Sequence, residues 1–301
     1  MFTDSAGRVR PVWAFVISGV LSFAAFFIAA VVSEAVAGQH YLVLEVIFRS
    51  LLALLLFGVY VWLLTIADNV HDHRIAALGL PLTEGWRRQF VAGCFVGLGL
   101  TALAVLPIAI FGSTSITVHR GFHVLPRGVA VLFVLLLGAL AEELMFRGYP
   151  FQHLEAGIGA VGAIAVFSVL FGVVHLSNPG ASVWGLINTV LIGILLAVAY
   201  LRTRALWLPW GIHFGWNATL GFLFGLPVSG LRIFNVVLRT SATGPAWMTG
   251  GSYGIEASAT GTIVVLIGLV MVWKLPVTKL TTPTLRQSEP AHETPASDIQ
   301  P

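Results

Sequence analysis

The chain has 301 residues, of which 57% are hydrophobic and only 10% are charged, and its formal net charge is +3. Ordinary soluble domains have roughly 25% charged residues, so a water-soluble fold would leave too much apolar surface in contact with water. The few basic residues form no stripe, which argues against a nucleic-acid partner. The single cysteine excludes an intrachain disulfide framework.

Eight stretches of the sequence approach the roughly 20 apolar residues that a membrane-spanning helix needs. They lie at about 12–32, 42–66, 89–111, 128–148, 158–176, 183–201, 206–225 and 257–273. The predicted fold is therefore all-α, a polytopic transmembrane bundle of about eight helices within residues 1–275. Residues 276–301 are rich in Pro, Thr, Ser and Glu and are predicted to form a disordered tail.

The distribution of basic residues predicts the orientation in the membrane. With eight spans both termini share one side, and that side receives ten Lys and Arg residues against four on the other. Because basic loops tend to stay in the cytoplasm, both termini are expected to be cytoplasmic. Arg8 and Arg10 precede the first apolar run, but that run is longer than the roughly 7–15 residues of a signal-peptide core, which favours an uncleaved span.

The fourth span ends in a cluster of charged residues, Ala141-Glu-Glu-Leu-Met-Phe-Arg147. Each charge at mid-membrane costs about 2.5–3.5 kcal/mol and therefore indicates a partner or a function. Glu143 and Arg147 are four residues apart with the acid first, a spacing that favours a helical ion pair. Glu142 points about 100° away and has no such partner in its own helix.

Three further spans carry polar groups that can face the same pocket. The fifth span ends in Phe171-Gly-Val-Val-His175, and the seventh contains His213-Phe-Gly-Trp-Asn217. The sixth span carries Asn188 and Thr189, which are interpreted as interhelical hydrogen-bonding residues. Since no soluble catalytic domain is predicted, any chemistry is expected inside the bundle.

Glu142, His175, His213 and Asn217 form a set suited to hydrolysis of an amide by water. A low-dielectric pocket disfavours an ionised carboxylate, which brings such a group toward the range in which a general base works at neutral pH. A histidine can share the proton, and two further donors can face an oxyanion. No serine or cysteine nucleophile is evident among these residues.

The same residues resemble the motifs of one membrane-protease family. Glu-Glu-x-x-x-Arg at 142–147, Phe-x-x-x-His at 171–175 and His-x-x-x-Asn at 213–217 occur in the order and spacing of the CAAX-prenyl-protease, bacteriocin-processing and self-immunity family (CPBP, or Abi). The resemblance covers about 125–225. Residues 171–227 are similar to bacterial members, which implies a bacterial cytoplasmic membrane.

The resemblance implies a role for each catalytic candidate. Glu142, as general base, and His175 would activate the attacking water, while His213 and Asn217 would stabilise the oxyanion. The expected partner besides the lipid bilayer is a membrane-associated or hydrophobic peptide or protein, whose bond an intramembrane endopeptidase would cut.

Other residues are expected to support this site. Glu143, Arg147 and Phe171 would hold the first two motifs in shape. Pro150, just after the first motif, departs from the pattern because proline removes a backbone donor and ends or kinks a helix. The depth of Glu142 in the membrane therefore depends on what the chain does at that point.

A divalent metal such as zinc is the cofactor that the residues leave open. Catalytic zinc takes three protein ligands, and Glu142, His175 and His213 are the residues that could supply them. The sequence lacks His-Glu-x-x-His, however, and the partner four residues after His213 is an asparagine, a poor zinc ligand. A reaction that requires no metal is favoured.

Two interpretations outside proteolysis remain. One is a non-enzymatic self-immunity or scaffold protein that has kept the motifs, and the other is a proton-coupled transporter with an intramembrane Glu and His relay. The complete motif set argues against the first. The lack of an obvious repeated half argues against the second.

The hydrolase hypothesis also makes a geometric demand. At about 1.5 Å per helical residue, His175 lies roughly 25 Å from the turn near Ile158, whereas His213 lies only about 10 Å from the turn near Leu206. If the two turns were level, the histidines would be some 15 Å apart in depth. We therefore expect the turn at Arg204–Pro209 to dip into the bundle, or the fifth span to start lower or to tilt.

Overall fold

A computed structural model of the protein describes residues 11–37, 48, 50–56, 58–59, 76, 78–122, 124–232, 234 and 236–280. The second predicted span is thus described only in part. The predicted disordered tail falls outside the described residues from 281 onward.

Eight α-helices and two strands have both ends described. The helices are α1 (Pro11–Ala37), α2 (Trp86–Phe111), α3 (Val124–Arg147), α4 (Tyr149–Val174), α5 (Val183–Thr203), α6 (Trp207–Asn217), α7 (Ala246–Thr249) and α8 (Ala259–Lys274). The strands are β1 (Ser113–Val118) and β2 (Leu238–Thr243). Short 3₁₀ turns lie at His175–Ser177 and Ile255–Ala257, and a π-helical stretch, Ala218–Leu223, continues α6. Residues 50–56 are also helical.

These elements confirm the predicted all-α membrane bundle. Within the described ranges, three segments are long and apolar enough to cross a membrane: Trp86–Phe111, Val124–Ser177 and Val183–Thr203. Large apolar side chains such as Phe27, Phe95 and Val161 lie exposed on the outside, as lipid contact requires. The sequence did not predict the antiparallel ribbon in which Ser113 pairs with Thr243 and Val118 with Leu238.

The chain changes direction twice between α3 and the second half of α4. α3 ends at Arg147, and Pro150 lies in the first turn of α4, where its missing N–H is harmless because the first helical N–H groups have no intrahelical partner. Gly159 then interrupts α4 with a φ of 83°, a left-handed conformation that glycine adopts without strain. The predicted fifth span corresponds to the part of α4 after this break.

The turn between α5 and α6 is buried, which agrees with the depth argument. Leu206 is fully buried and Trp207 nearly so. The Leu206 N–H donates to the Gly79 carbonyl at 2.7 Å, and the Trp207 indole N–H donates to the Pro81 carbonyl at 2.9 Å. The segment before α2 thus covers the turn and satisfies its polar groups, so that α6 begins inside the protein.

Helices α2 and α6 approach each other through facing glycines. Each helix contributes two at a spacing of four: Gly93, Gly97, Gly211 and Gly215. A Cβ atom added at Gly97 would lie 2.2 Å from the Ile212 carbonyl oxygen, so only glycine permits this backbone distance. Lipid provides no hydrophobic force between helices, and close van der Waals packing of small residues takes its place. The contact fixes the helix that carries His213.

We expect Gly97→Ala to destabilise the protein by about 1–3 kcal/mol, because the added methyl group collides with backbone that cannot move away. Gly99→Ala is the matched control, since a Cβ there meets no atom within 4 Å. Thermal unfolding in detergent should show a lower Tm for Gly97→Ala and an unchanged or slightly higher Tm for Gly99→Ala, because alanine favours helix. Equal Tm values would contradict the close contact.

Candidate active site

Three side chains from different helices converge on one point. The Glu142 Oε2 atom on α3 lies 3.9 Å from His175 Nε2, at the end of α4, and 3.8 Å from His213 Nε2 on α6. These distances exceed a direct hydrogen bond of about 2.7–3.2 Å. They suit one small molecule held between the three atoms, such as a bridging water.

The exposure of Glu142 fits such a position. Its Oε2 atom is buried and has no hydrogen-bond partner among the described residues. The side chain as a whole is nevertheless 27% exposed. Glu142 therefore has a buried oxygen free to accept a hydrogen bond on a side chain that is partly exposed.

His175 is oriented by the residue one turn before it. Its Nδ1 atom lies 2.6 Å from the Phe171 carbonyl oxygen. A carbonyl only accepts, so Nδ1 carries a proton, and Nε2 is the ring nitrogen that faces Glu142. The Phe171 ring also packs against the His175 ring, with centroids 4.7 Å apart, and lies 4.5 Å from the Arg147 guanidinium carbon.

Glu143 connects the first and third motifs. Its Oε1 atom accepts a hydrogen bond from Arg147 Nη1 at 3.2 Å, the predicted helical ion pair, and a second from His213 Nδ1 at 2.8 Å. Arg147 Nη2 also donates to the Gly193 carbonyl on α5 at 3.1 Å. Glu143 and Arg147 are both fully buried. The contact with His213 was not predicted, because it depends on how α3 and α6 pack.

Asn217 and both histidines line one cavity between α4, α5, α6 and α8. Thr189, Ser229 and Glu256 are further polar lining residues. Ile192, Leu195, Leu196, Ile212 and Val265 supply apolar walls. Three of the four catalytic candidates thus line this cavity, and Glu142, which is not one of its lining residues, contacts the two histidines.

Glu256 is the lining residue that the sequence analysis missed. It lies in the 3₁₀ turn before α8 and is 4% exposed. The one signal in the sequence was an acidic residue directly before an apolar span. Asn188 does make the predicted interhelical hydrogen bond, since its Oδ1 accepts from the Thr262 hydroxyl on α8 at 2.7 Å. Its Nδ2 also donates to the Glu256 and Ser258 carbonyls at 2.9 and 2.8 Å. The Thr189 hydroxyl instead donates to the Gly185 carbonyl of its own helix at 2.7 Å.

Among the described residues, no three His, Cys, Asp or Glu side chains are grouped so that they could hold a metal ion.

The segment that carries the three motifs matches a known protein family. Residues 125–219 match the family described as Rce1-like, type II CAAX prenyl endopeptidase Rce1-like. We refer to this segment as the Rce1-like domain. It covers about a third of the chain and includes every motif residue from Glu142 to Asn217. The predicted CPBP resemblance is confirmed.

The Rce1-like domain indicates a CAAX-type protease, and together with the apolar helices it indicates an integral membrane protein. No curated protein and no solved structure matches the chain. The roles of individual residues therefore rest on the geometry of the site.

Replacement of Glu143 should destabilise the fold more than replacement of its neighbour. Glu143→Gln leaves the buried Arg147 without a charge partner, and breaking such a pair from one side costs about 3–5 kcal/mol. Glu142→Gln is the matched control, because the Oε2 atom of Glu142 accepts no hydrogen bond within the described part of the chain. Thermal unfolding in detergent should give a much lower Tm for Glu143→Gln. Similar Tm values for the two variants would contradict the arrangement.

Proposed function

We propose that the protein is an intramembrane endopeptidase that cuts a peptide bond in a membrane-associated or hydrophobic peptide. Glu142 and His175 activate a water molecule, and His213 and Asn217 stabilise the oxyanion. The observation that carries this proposal is the position of Glu142 Oε2 on α3. It lies within 4 Å of two Nε2 atoms, that of His175 at the end of α4 and that of His213 on α6. An ion-pair network alone does not require a carboxylate oxygen without a partner between two imidazoles.

The attacking water lies between Glu142 and His175. Both atoms that face it are acceptors, because Glu142 is a carboxylate and the His175 Nδ1 proton is bonded to Phe171. As the water oxygen adds to the carbonyl carbon, Glu142 takes the proton that the water loses. The same proton then passes to the leaving nitrogen as the C–N bond breaks, so the products are a carboxylic acid and an amine.

His213 and Asn217 face the oxygen of the reacting carbonyl, whereas the water attacks its carbon. Asn217 offers an amide N–H₂ group from one helical turn after His213. His213 uses Nδ1 to donate to Glu143, so its Nε2 atom donates only when the ring is an imidazolium. Glu142, Glu143 and Arg147 together leave one negative charge, which an imidazolium balances. A donor fixed in this way stabilises the negative charge that develops in the transition state.

The proposed location is a bacterial cytoplasmic membrane with both termini in the cytoplasm. Basic residues collect at one end of the bundle: Arg87, Arg88, Arg202, Arg204 and Lys274. Arg204 pairs with Glu155 at 2.7 Å and Arg202 donates to the Leu275 carbonyl at 2.7 Å, so this end is also tied together. An excess of basic residues at one end favours that end for the cytoplasm.

Loss of the general base should abolish most of the activity. We expect Glu142→Gln to lower kcat by about 100- to 10,000-fold, the range that general base catalysis supplies. Purified protein in proteoliposomes would be given internally quenched hydrophobic peptides, with products identified by mass spectrometry. In ¹⁸O-labelled water the new carboxyl group should carry the label. Glu155→Gln, which removes only the partly exposed pair with Arg204, should retain near-normal turnover.

Failure of the wild-type protein to cut any peptide, with intact fold, would favour the scaffold or transporter interpretation. Near-normal turnover by Glu142→Gln would instead leave the protease assignment standing and remove Glu142 from its role. The two outcomes are separated because wild type and variant are measured on the same peptides.

We also propose that no metal ion takes part. Turnover should be unchanged after dialysis against 1,10-phenanthroline and EDTA. Loss of activity that returns on addition of Zn²⁺, but not of Mg²⁺, would contradict this proposal and point to Glu142, His175 and His213 as ligands.

A further inference from the structure

The reaction described above makes no use of the buried carboxylate of Glu256. Its Oε1 atom accepts a hydrogen bond from the Trp216 indole N–H at 3.0 Å, and its Oε2 atom accepts one from the Ser229 backbone N–H. Its backbone carbonyl accepts from Asn188 on α5. An ionised group is costly to bury unless it is satisfied in this way. Glu256 thus connects three segments that line the cavity.

The contact with Trp216 acts on the residue that follows it. Asn217 is the last residue of α6, and the backbone becomes π-helical from Ala218 onward. The Ala218 N–H still bonds to the Phe214 carbonyl, and the π-helical pattern follows from there. Trp216 is held on one side by Thr101, whose hydroxyl contacts its carbonyl oxygen at 3.4 Å, and on the other by Glu256. The orientation of this last turn depends on both contacts.

The contact with Ser229 fixes the neighbouring wall of the cavity. Val228–Leu231, here called the Ser229 turn, is closed by hydrogen bonds between its first and last residues. Ser229 has a φ of 45°, a left-handed conformation that a serine adopts only when the surroundings hold it there. The N–H that Glu256 binds belongs to this same residue, and a hydrogen bond to a carboxylate is stronger than one between neutral groups.

Tyr253 ties the Ser229 turn to the helix across the cavity. Burial raises the pKa of its phenol to about 12, so the hydroxyl keeps its proton at neutral pH. The phenol lies near the side chains of Thr189 and Ser229, and the Gly230 N–H donates to the Tyr253 carbonyl at 2.8 Å. The wall beside Asn217 is therefore a connected set of polar contacts with Glu256 at its centre.

We infer that Glu256 is a positioning residue for peptide hydrolysis, which holds Trp216, and through it Asn217, in the orientation that the oxyanion needs. This inference rests on the proposed function, because that function assigns the oxyanion to Asn217. Since the oxyanion forms only during the reaction, a fault in its positioning lowers kcat and leaves KM nearly unchanged.

The first test is Glu256→Gln, assayed in full-length protein in proteoliposomes with the same quenched peptides. Glutamine has the same shape as glutamate, but its N–H₂ group must face the N–H of either Trp216 or Ser229. Two donors cannot form a hydrogen bond with each other, so one of the two contacts is lost. We expect kcat to fall about 10- to 100-fold, as for a displacement of about 1 Å, with KM within about threefold. Trp216→Phe removes the indole donor and leaves Glu256 in place, and it should lower kcat by a similar factor. This second variant keeps the inference testable if Glu256→Gln does not fold.

The decisive comparison introduces Glu256→Gln and Trp216→Phe into an Asn217→Ala background. If Glu256 acts through Asn217, neither change lowers kcat further there. If each change instead lowers kcat by the same factor in the Asn217→Ala background as in wild type, its effect is independent of Asn217. That result would overturn the inference. The fold of each variant is checked by its Tm in detergent.

These measurements also separate the inference from the function on which it rests. Normal kcat in Asn217→Ala would remove the oxyanion assignment and the inference with it. A low kcat in Asn217→Ala, with normal kcat in Glu256→Gln and Trp216→Phe, would overturn the inference alone.

Discussion

The arrangement of the site depends on one buried carboxylate. Glu143 Oε1 receives hydrogen bonds from both Arg147 and His213, and Arg147 reaches on to the Gly193 carbonyl. Because a charge without a partner inside the bundle is costly, α3, α5 and α6 are held to the one packing that satisfies these groups. The same bond requires a proton on Nδ1 of His213 and directs Nε2 toward Glu142, so the contact that stabilises the bundle also orients the imidazole.

Close helix packing makes this network possible. The hydrogen bonds to Glu143 have a tolerance of a few tenths of an ångström, and they join helices that lipid does not press together. The facing glycines of α2 and α6 allow their backbones to touch, and the covered turn before α6 starts that helix inside the protein. Together they place His213 at the depth of Glu142, although only a short helical segment precedes it. The glycines thus allow the helices to approach closely, and the polar residues form the hydrogen bonds between them.

The cavity extends beyond the Rce1-like domain. The match ends at residue 219, whereas Ser229, Glu256 and Val265 lie on the wall of the same cavity. The helices of the domain carry the four catalytic candidates, and the irregular segment that follows them forms one side of the cavity. A segment of turns can differ in shape without disturbing the helices, which makes it a suitable place for features that select a substrate.

The sequence by itself determined the features that depend on local pattern and composition. The apolar runs gave the spans, the spacing of four gave the Glu143–Arg147 pair, and the three motifs gave the candidate residues, because each of these is a property of one helix or of residue order. Tertiary structure alone decided which helices meet. The Glu143–His213 bond joins residues 70 apart, and the Glu256–Trp216 bond joins residues 40 apart. β1 pairs with β2 although the whole Rce1-like domain lies between them in the chain. Such contacts depend on how side chains of distant segments fit together in three dimensions, and no periodicity within a single segment encodes that fit.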